Sequence, residues 1–151
     1  MNKGSVSAVA GGTGDGEEAG VMVIRMILGL LGLMWAGYGA WCFADPGMLR
    51  DVAGVSASRA SGSVDLRATY GGLQMAVGVL LLGGALRAAM TRQVLLTYGV
   101  LCAGIGLGRL LAALLESEWS GYTVGAIVFE LGSAFAALLL FSRGGARVRS
   151  G

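Results

Sequence analysis

Two charges stand where apolar residues would be expected. Arg109 lies in a long apolar run, seven residues before Glu116, and Glu130 lies in the next run, eight residues after Tyr122. If both runs are helices joined at their near ends, each charge sits roughly 10–13 Å below the join at 1.5 Å per residue. Equal depth on adjacent antiparallel helices is what an ion pair requires, and a lone charge at mid-membrane costs about 2.5–3.5 kcal/mol on insertion scales. The preceding run adds Arg67, Tyr70 and Gln74, spaced three and four residues apart and therefore on one helical face. Gln74 matches the depth of the two charges, and Tyr70 lies one turn higher. Trp35 and Tyr38 bring amphipathic groups to a comparable level from the first run. The candidate binding set is Arg109, Glu130, Gln74, Tyr70 and Arg67. Two readings stay open for it. One is an Arg–Glu clamp that fixes helix register, with Gln74 and Tyr70 filling spare hydrogen-bond sites. The other is a polar pocket open to the outer side that takes a small solute or a lipid headgroup. A charge partner for Glu130 disfavours a proton-carrying role. Arg67 beside Asp65 also reads as a snorkelling anchor at the membrane surface.

Other chemistry is poorly supplied. The chain has no histidine, the commonest transition-metal ligand and general base. Ser and Thr therefore have no His partner, and no acidic pair has metal-ligand spacing. No catalytic residue, metal site or cofactor is indicated. Cys42 and Cys102 are the only cysteines. They fall at depths roughly 20 Å apart, beyond the roughly 7 Å between α-carbons that a disulfide tolerates, so both are expected as buried thiols. The stretch Gly11-Gly12-Thr13-Gly14-Asp15-Gly16 lacks the Gly-Lys-Ser/Thr ending and the preceding strand of a phosphate loop, and reads as linker.

Four elements must position these residues. Hydrophobic residues make up 55% of the chain and charged ones 13%, against roughly 25% charge in a soluble domain. A chain of 151 residues has little interior in which to hide so much apolar surface, so lipid is the better solvent. Apolar runs extend from about Met22 to Phe43, Ala68 to Leu86, Val94 to Leu115 and Tyr122 to Phe141. Each approaches the ~20 residues that cross ~30 Å of hydrocarbon, and backbone in lipid must bond internally, so each is expected to be helical. The first ends at Asp45-Pro46. It is too long for a cleaved signal and is followed by further spans.

With four spans, both tails share a side with the short second loop. That side holds Lys3, Arg25, Arg87, Arg92, Arg143, Arg147 and Arg149; the other holds Arg50, Arg59 and Arg67 among several acidic residues. This asymmetry predicts an inner-membrane protein with both termini cytoplasmic. Residues 1–20 read as a disordered cytoplasmic tail, 21–142 as the membrane domain and 143–151 as a basic cytoplasmic tail. Within the loop from Asp45 to Leu66, Met48, Leu49 and Val52 predict a short interfacial helix, followed by a flexible Ser/Gly/Ala stretch.

Small residues suggest the packing faces. The first helix offers Gly29, Gly32, Ala36 and Ala40. The third offers the Gly104–Gly108 pair with Ala112, and the fourth Ala126, Ser133 and Ala137. These stripes are expected to hold the bundle together, with homodimerisation through Gly104 and Gly108 as the lesser option.

Asp65-Leu66-Arg67-Ala68-Thr69-Tyr70-Gly71-Gly72, Gly108-Arg109-Leu110-Leu111 and Glu130-Leu131 together resemble a bacterial membrane family known as domain of unknown function 4345. The resemblance spans roughly Arg25 to Ser142. It implies a four-helix membrane protein, distantly DoxX-like and without an assigned activity, with its motif positions on Arg67, Tyr70, Arg109 and Glu130. The turn from Glu116 to Gly121 departs from the Asp-Gly turn of the family.

The expectation is an all-α, integral membrane four-helix bundle that sits in the lipid bilayer and binds a small ligand or lipid. The alternative is a non-catalytic accessory or scaffold subunit with a membrane protein partner. A quinone-using membrane oxidoreductase lacks a redox centre, and the net charge of +2 gives no reason to expect nucleic acid.

Overall fold

The computed structural model describes residues 14–146. They form helices α1 (Gly14–Ala44), α2 (Met48–Ala53), α3 (Ala60–Leu66), α4 (Leu73–Leu86), α5 (Ala88–Glu116) and α6 (Gly121–Ala146), with a π-helical turn, Arg67–Gly72, fusing α3 to α4. Four helical stretches, Glu18–Ala44, Ala60–Leu86, Ala88–Glu116 and Gly121–Arg143, are long and apolar enough to cross a membrane. Large apolar side chains stay exposed on all of them: Leu30 at 68%, Val79 at 66%, Leu111 at 61% and Phe135 at 70%. Exposed apolar surface this extensive belongs against lipid rather than water.

Each helix ends for a local reason. Pro46 cannot continue α1, and the Asp45 carboxylate accepts the Gly47 N–H at 3.0 Å, turning the chain into α2. Gly54, at φ +67°, closes α2, with its N–H donating to the Arg50 carbonyl. Arg87 alone, in an extended conformation, separates α4 from α5. Ser117 caps α5 in the left-handed region at φ 54°. The Ser120 hydroxyl then accepts the Thr123 N–H at 3.3 Å and starts α6.

Two boundaries differ from the sequence expectation. The expected disordered tail falls largely outside the described residues, yet its last part, from Gly14, is already helical. The expected flexible Ser/Gly/Ala stretch is helical from Ala60 onward. Hydropathy marks only the part of a helix that needs lipid. Beyond it the backbone keeps its intrahelical bonds regardless of side chain, so a helix outruns its apolar core. The basic tail likewise begins inside α6, which runs to Ala146, and residues 147–151 lie outside the described residues.

The spans pack as two pairs, α1 with α4 and α5 with α6, joined by an α4–α5 contact. Helices α1 and α4 touch backbone to backbone. A Cβ on Gly78 would lie 2.5 Å from the Ala36 amide nitrogen, and one on Gly39 would lie 2.6 Å from that of Met75. Arginines tie both ends of this pair. Arg25 on α1 donates to the Ala85 and Leu86 carbonyls at the end of α4, at 2.7 and 3.1 Å. Arg67 donates to the Phe43 and Ala44 carbonyls at the end of α1. Both fill acceptors that a helix C-terminus leaves open. A core of Leu28, Leu81, Val94, Leu95, Tyr98, Cys102, Ala134 and Ala137 joins the two pairs. Cys42, Met48 and Leu49 form a second cluster under α2. Both cysteines are free and buried.

The expected small-residue stripes are partly displaced. Gly32 is buried against Leu82, but Gly39 rather than the exposed Ala40 makes the close approach higher on α1. On α5, Gly104, Gly108 and Ala112 face outward, with nothing within 4 Å of a Cβ at either glycine; Gly99 and Gly106 carry the contact with α6. The reason is rotational phase. At about 100° per residue, Gly104 lies on the far side of the helix from Arg109, whereas Gly106 and Gly99 share its face.

Candidate functional site

Gly106 builds the site. It lies one turn before Arg109 on α5, and a Cβ there would stand 2.8 Å from a Leu131 methyl and 3.1 Å from the Glu130 Cβ. Its missing side chain lets α6 seat Glu130 against α5. Glu130 is 5% exposed and is the one buried charged or polar residue among those described. Arg109 approaches as a fork. Its Nε donates to Oε2 at 3.0 Å and to Oε1 at 3.2 Å, and one Nη donates to Oε1 at 2.7 Å. Both carboxylate oxygens are thereby satisfied, which a buried charge requires. No buried side-chain nitrogen or oxygen lacks a partner among the described residues.

The Arg109 side chain is 31% exposed and reaches a cleft of about 490 Å³ at the Pro46 end of the bundle. The α2 end and the loop after it, Val52 to Val55, wall one side. Tyr70, Tyr122, Ser120, Thr123 and Glu118 supply the polar groups. The remaining Nη1 of Arg109 makes no hydrogen bond among the described residues. Glu118 accepts the Ser120 N–H at 3.1 Å, and its hydrogen bonds to Ser120 hold its carboxyl below the usual carboxylate range.

Of the sequence candidates, Arg109, Glu130 and Tyr70 come together here. Gln74 does not. It is half-buried beside Trp35, Tyr98, Cys102 and Ile105, around a gap of only about 30 Å³. Equal depth is not equal azimuth, and α4 turns Gln74 toward the bundle centre rather than toward the pair. Arg67 is also elsewhere. Its guanidinium closes the end of α1 and lies 5.9 Å from the Phe43 ring centroid, so the surface-anchor reading describes it better than the binding one. Trp35 donates its indole N–H to the Tyr98 hydroxyl at 3.2 Å. Tyr38 sits beside Cys42, with Tyr70 and Tyr122 near it.

Sequence reasoning missed Tyr122, Thr123, Ser120 and the α2 wall. Tyr122 lies at the top of the run that carries Glu130, so the hydroxyls nearest that helix start were the available signal. The wall after α2 had none, because only folding brings that loop over Arg109.

A fork-held ion pair buried between apolar helices, under a cleft at the ends of the spans, defines a multi-pass membrane four-helix protein. The chain belongs to the family described as Domain of unknown function (DUF4345), whose model matches residues 23–141. No curated protein and no solved structure matches the chain.

Proposed function

We propose that this protein binds a small polar solute or a lipid headgroup in the cleft over Arg109. In this reading that end faces away from the cytoplasm of a cell's inner membrane and both termini lie inside. The observation that carries the proposal is the half-free guanidinium. Glu130 fixes Arg109 in place and neutralises it, which makes the charge tolerable at that depth, while Nη1 keeps unspent donors facing a cleft of about 490 Å³. A purely structural clamp needs no such opening. The orientation rests on the Arg and Lys excess near the α1 start, the α4–α5 turn and the α6 end.

Native mass spectrometry of the full chain, released from its membrane in mild detergent, tests this reading. The wild type should carry one retained molecule. Thr123→Trp fills the cleft, keeping the backbone N–H that Ser120 accepts while losing the hydroxyl to which Ser120 donates, and should lower retention at least tenfold at the cost of only a small drop in melting temperature. A wild type without a retained molecule, or retention untouched by Thr123→Trp, counts against the cleft.

A second reading, a non-catalytic subunit of a larger membrane complex, draws on α5. Gly104, Gly108 and Ala112 present an outward face of small residues, the surface on which another helix packs closely. Gly104→Leu would then remove a partner from the purified complex while leaving the isolated protein as stable as before.

A further inference from the structure

We infer that the molecule bound at this cleft is a membrane phospholipid, its phosphate at Arg109 and one acyl chain in a groove between α1 and α6. This rests on the cleft reading above and names its ligand class.

A groove between α1 and α6 reaches the core at Leu28 and Tyr98. Helices α1 and α6 do not form a close pair, unlike α1 with α4 and α5 with α6. Between them lies a space of about 350 Å³ lined by Leu28 and Leu31 of α1, Tyr98 of α5, and Phe129, Ser133 and Ala136 of α6. Its walls are almost wholly apolar. The Tyr98 hydroxyl accepts from the Trp35 indole N–H at 3.2 Å. Val128 and Gly132 on the flank are exposed, which leaves the groove open sideways to lipid.

Its dimensions favour one chain over a helix. From Val128 to Leu140 the α6 wall runs roughly 18 Å at 1.5 Å per residue. Over that length the groove is narrower than an α-helix about 10 Å across, which suits a single extended chain.

Groove and cleft lie along one line. On α6, Tyr122, Phe129, Ser133, Ala136 and Leu140 recur at seven, four, three and four residues, and on α1, Leu28, Leu31, Trp35 and Tyr38 at three, four and three. Each set is a single helical stripe. The Trp35 and Phe129 rings meet across the seam with centroids 6.2 Å apart, between the apolar groove and the Tyr38–Tyr122 level. About 7.5 Å of α6 separates Thr123 in the cleft from Val128 in the groove, the interval for the ester linkages. Donors toward the Pro46 end of the bundle and an apolar slot farther along α6 match the two halves of one phospholipid. A small polar solute would leave the slot unused.

The test uses the full chain reconstituted in vesicles of phosphatidylethanolamine and phosphatidylglycerol, re-extracted in mild detergent and examined by native mass spectrometry. Gly132 lines the groove and has nothing within 4 Å of an added Cβ, so Gly132→Trp places an indole at the groove without a clash at its Cβ. Ala136→Phe is the second filler should the first fail to fold, and Gly132→Ala is the control. The wild type should retain one phospholipid. Gly132→Trp and Thr123→Trp should each lower its occupancy at least tenfold with the fold retained in thermal unfolding, and Gly132→Ala should not. A non-lipid molecule lost in Thr123→Trp but kept in Gly132→Trp overturns the lipid and leaves the cleft reading standing. A phospholipid lost only on filling the groove overturns the head-in-cleft arrangement. A second protein chain displaced by Gly132→Trp overturns the lipid as occupant. A wild type that retains nothing overturns the lipid and the cleft together.

Discussion

The α1–α4 and α5–α6 pairs solve one problem in two ways. Lipid gives helices little hydrophobic reason to associate, so contact must come from close packing or polar bonds. The α1–α4 pair uses backbone proximity. Gly39 and Gly78 bring main chains together, and its polar bonds sit at the ends, where Arg25 and Arg67 meet carbonyls. The α5–α6 pair uses side chains. Leu131 and Leu138 enter the hollows left by Gly106 and Gly99, and Arg109 and Glu130 bond within the span. At its other end, the Arg92 guanidinium lies 4.2 Å from the Phe141 ring centroid. A seam of glycines is closed and offers a ligand nothing. A buried ion pair keeps donor capacity to spare. The pair built from side chains is therefore the one that carries a site.

The comparison breaks most sharply at Glu130. Glu130→Leu leaves Arg109 without its carboxylate, and removing one partner of a buried pair costs about 3–5 kcal/mol; thermal unfolding in detergent should show a large drop. Arg109→Leu combined with Glu130→Leu should regain most of it. A double variant no better than the single one would mean that the pair adds more than mutual neutralisation. Glu130→Gln, which keeps a polar group, should lose less than Glu130→Leu.

Next comes the glycine seam. Gly78→Leu drives a side chain into the Ala36 backbone, which has no rotamer with which to yield, and should cost about 3 kcal/mol or prevent folding. Gly106→Leu should fall short of that, because Leu131 and Glu130 are side chains that can shift. Equal losses at the two sites would erase the proposed distinction. Gly104→Leu, facing open space, should leave the melting temperature of the isolated protein unchanged.

Smaller effects sharpen the ends of the pairs. Arg67→Ala should destabilise by about 1 kcal/mol through unmet carbonyls at the α1 terminus. It should leave ligand retention intact, which separates its capping role from the cleft. Ser117→Gly should stabilise by about 1 kcal/mol, since a left-handed backbone burdens any residue with a Cβ. The pH dependence is smallest. Glu118 has a lowered pKa in the fold, so its contribution is present at neutral pH and fades as pH falls through the depressed value. Glu118→Gln should abolish that part of the acid-induced change in melting temperature.

Much of this was legible along the chain, because depth and hydropathy are properties of position in the sequence. Residue counting from the helix ends paired Arg109 with Glu130, and it also set Gln74 at their level. The first inference held because two opposite charges in lipid seek each other. The second failed because an amide has no comparable demand and follows the azimuth of α4. The Gly104–Gly108 spacing misled for a related reason. Small residues are compatible with an interface without requiring one, whereas Arg109 had to face inward, and residues in phase with it were the better guide.

The sequence by itself determined four membrane-length helices, the rare charges within them and the depth at which those charges lie, because the energy of an apolar or charged residue in lipid is decided residue by residue. The tertiary structure alone decided rotation and neighbourhood. It turned Gly106 rather than Gly104 toward α6, sent Arg67 to the end of α1, folded the α2 loop over Arg109 and left α1 and α6 apart. Those outcomes depend on how whole helical surfaces fit one another, and no single stretch of the chain contains both sides of that fit.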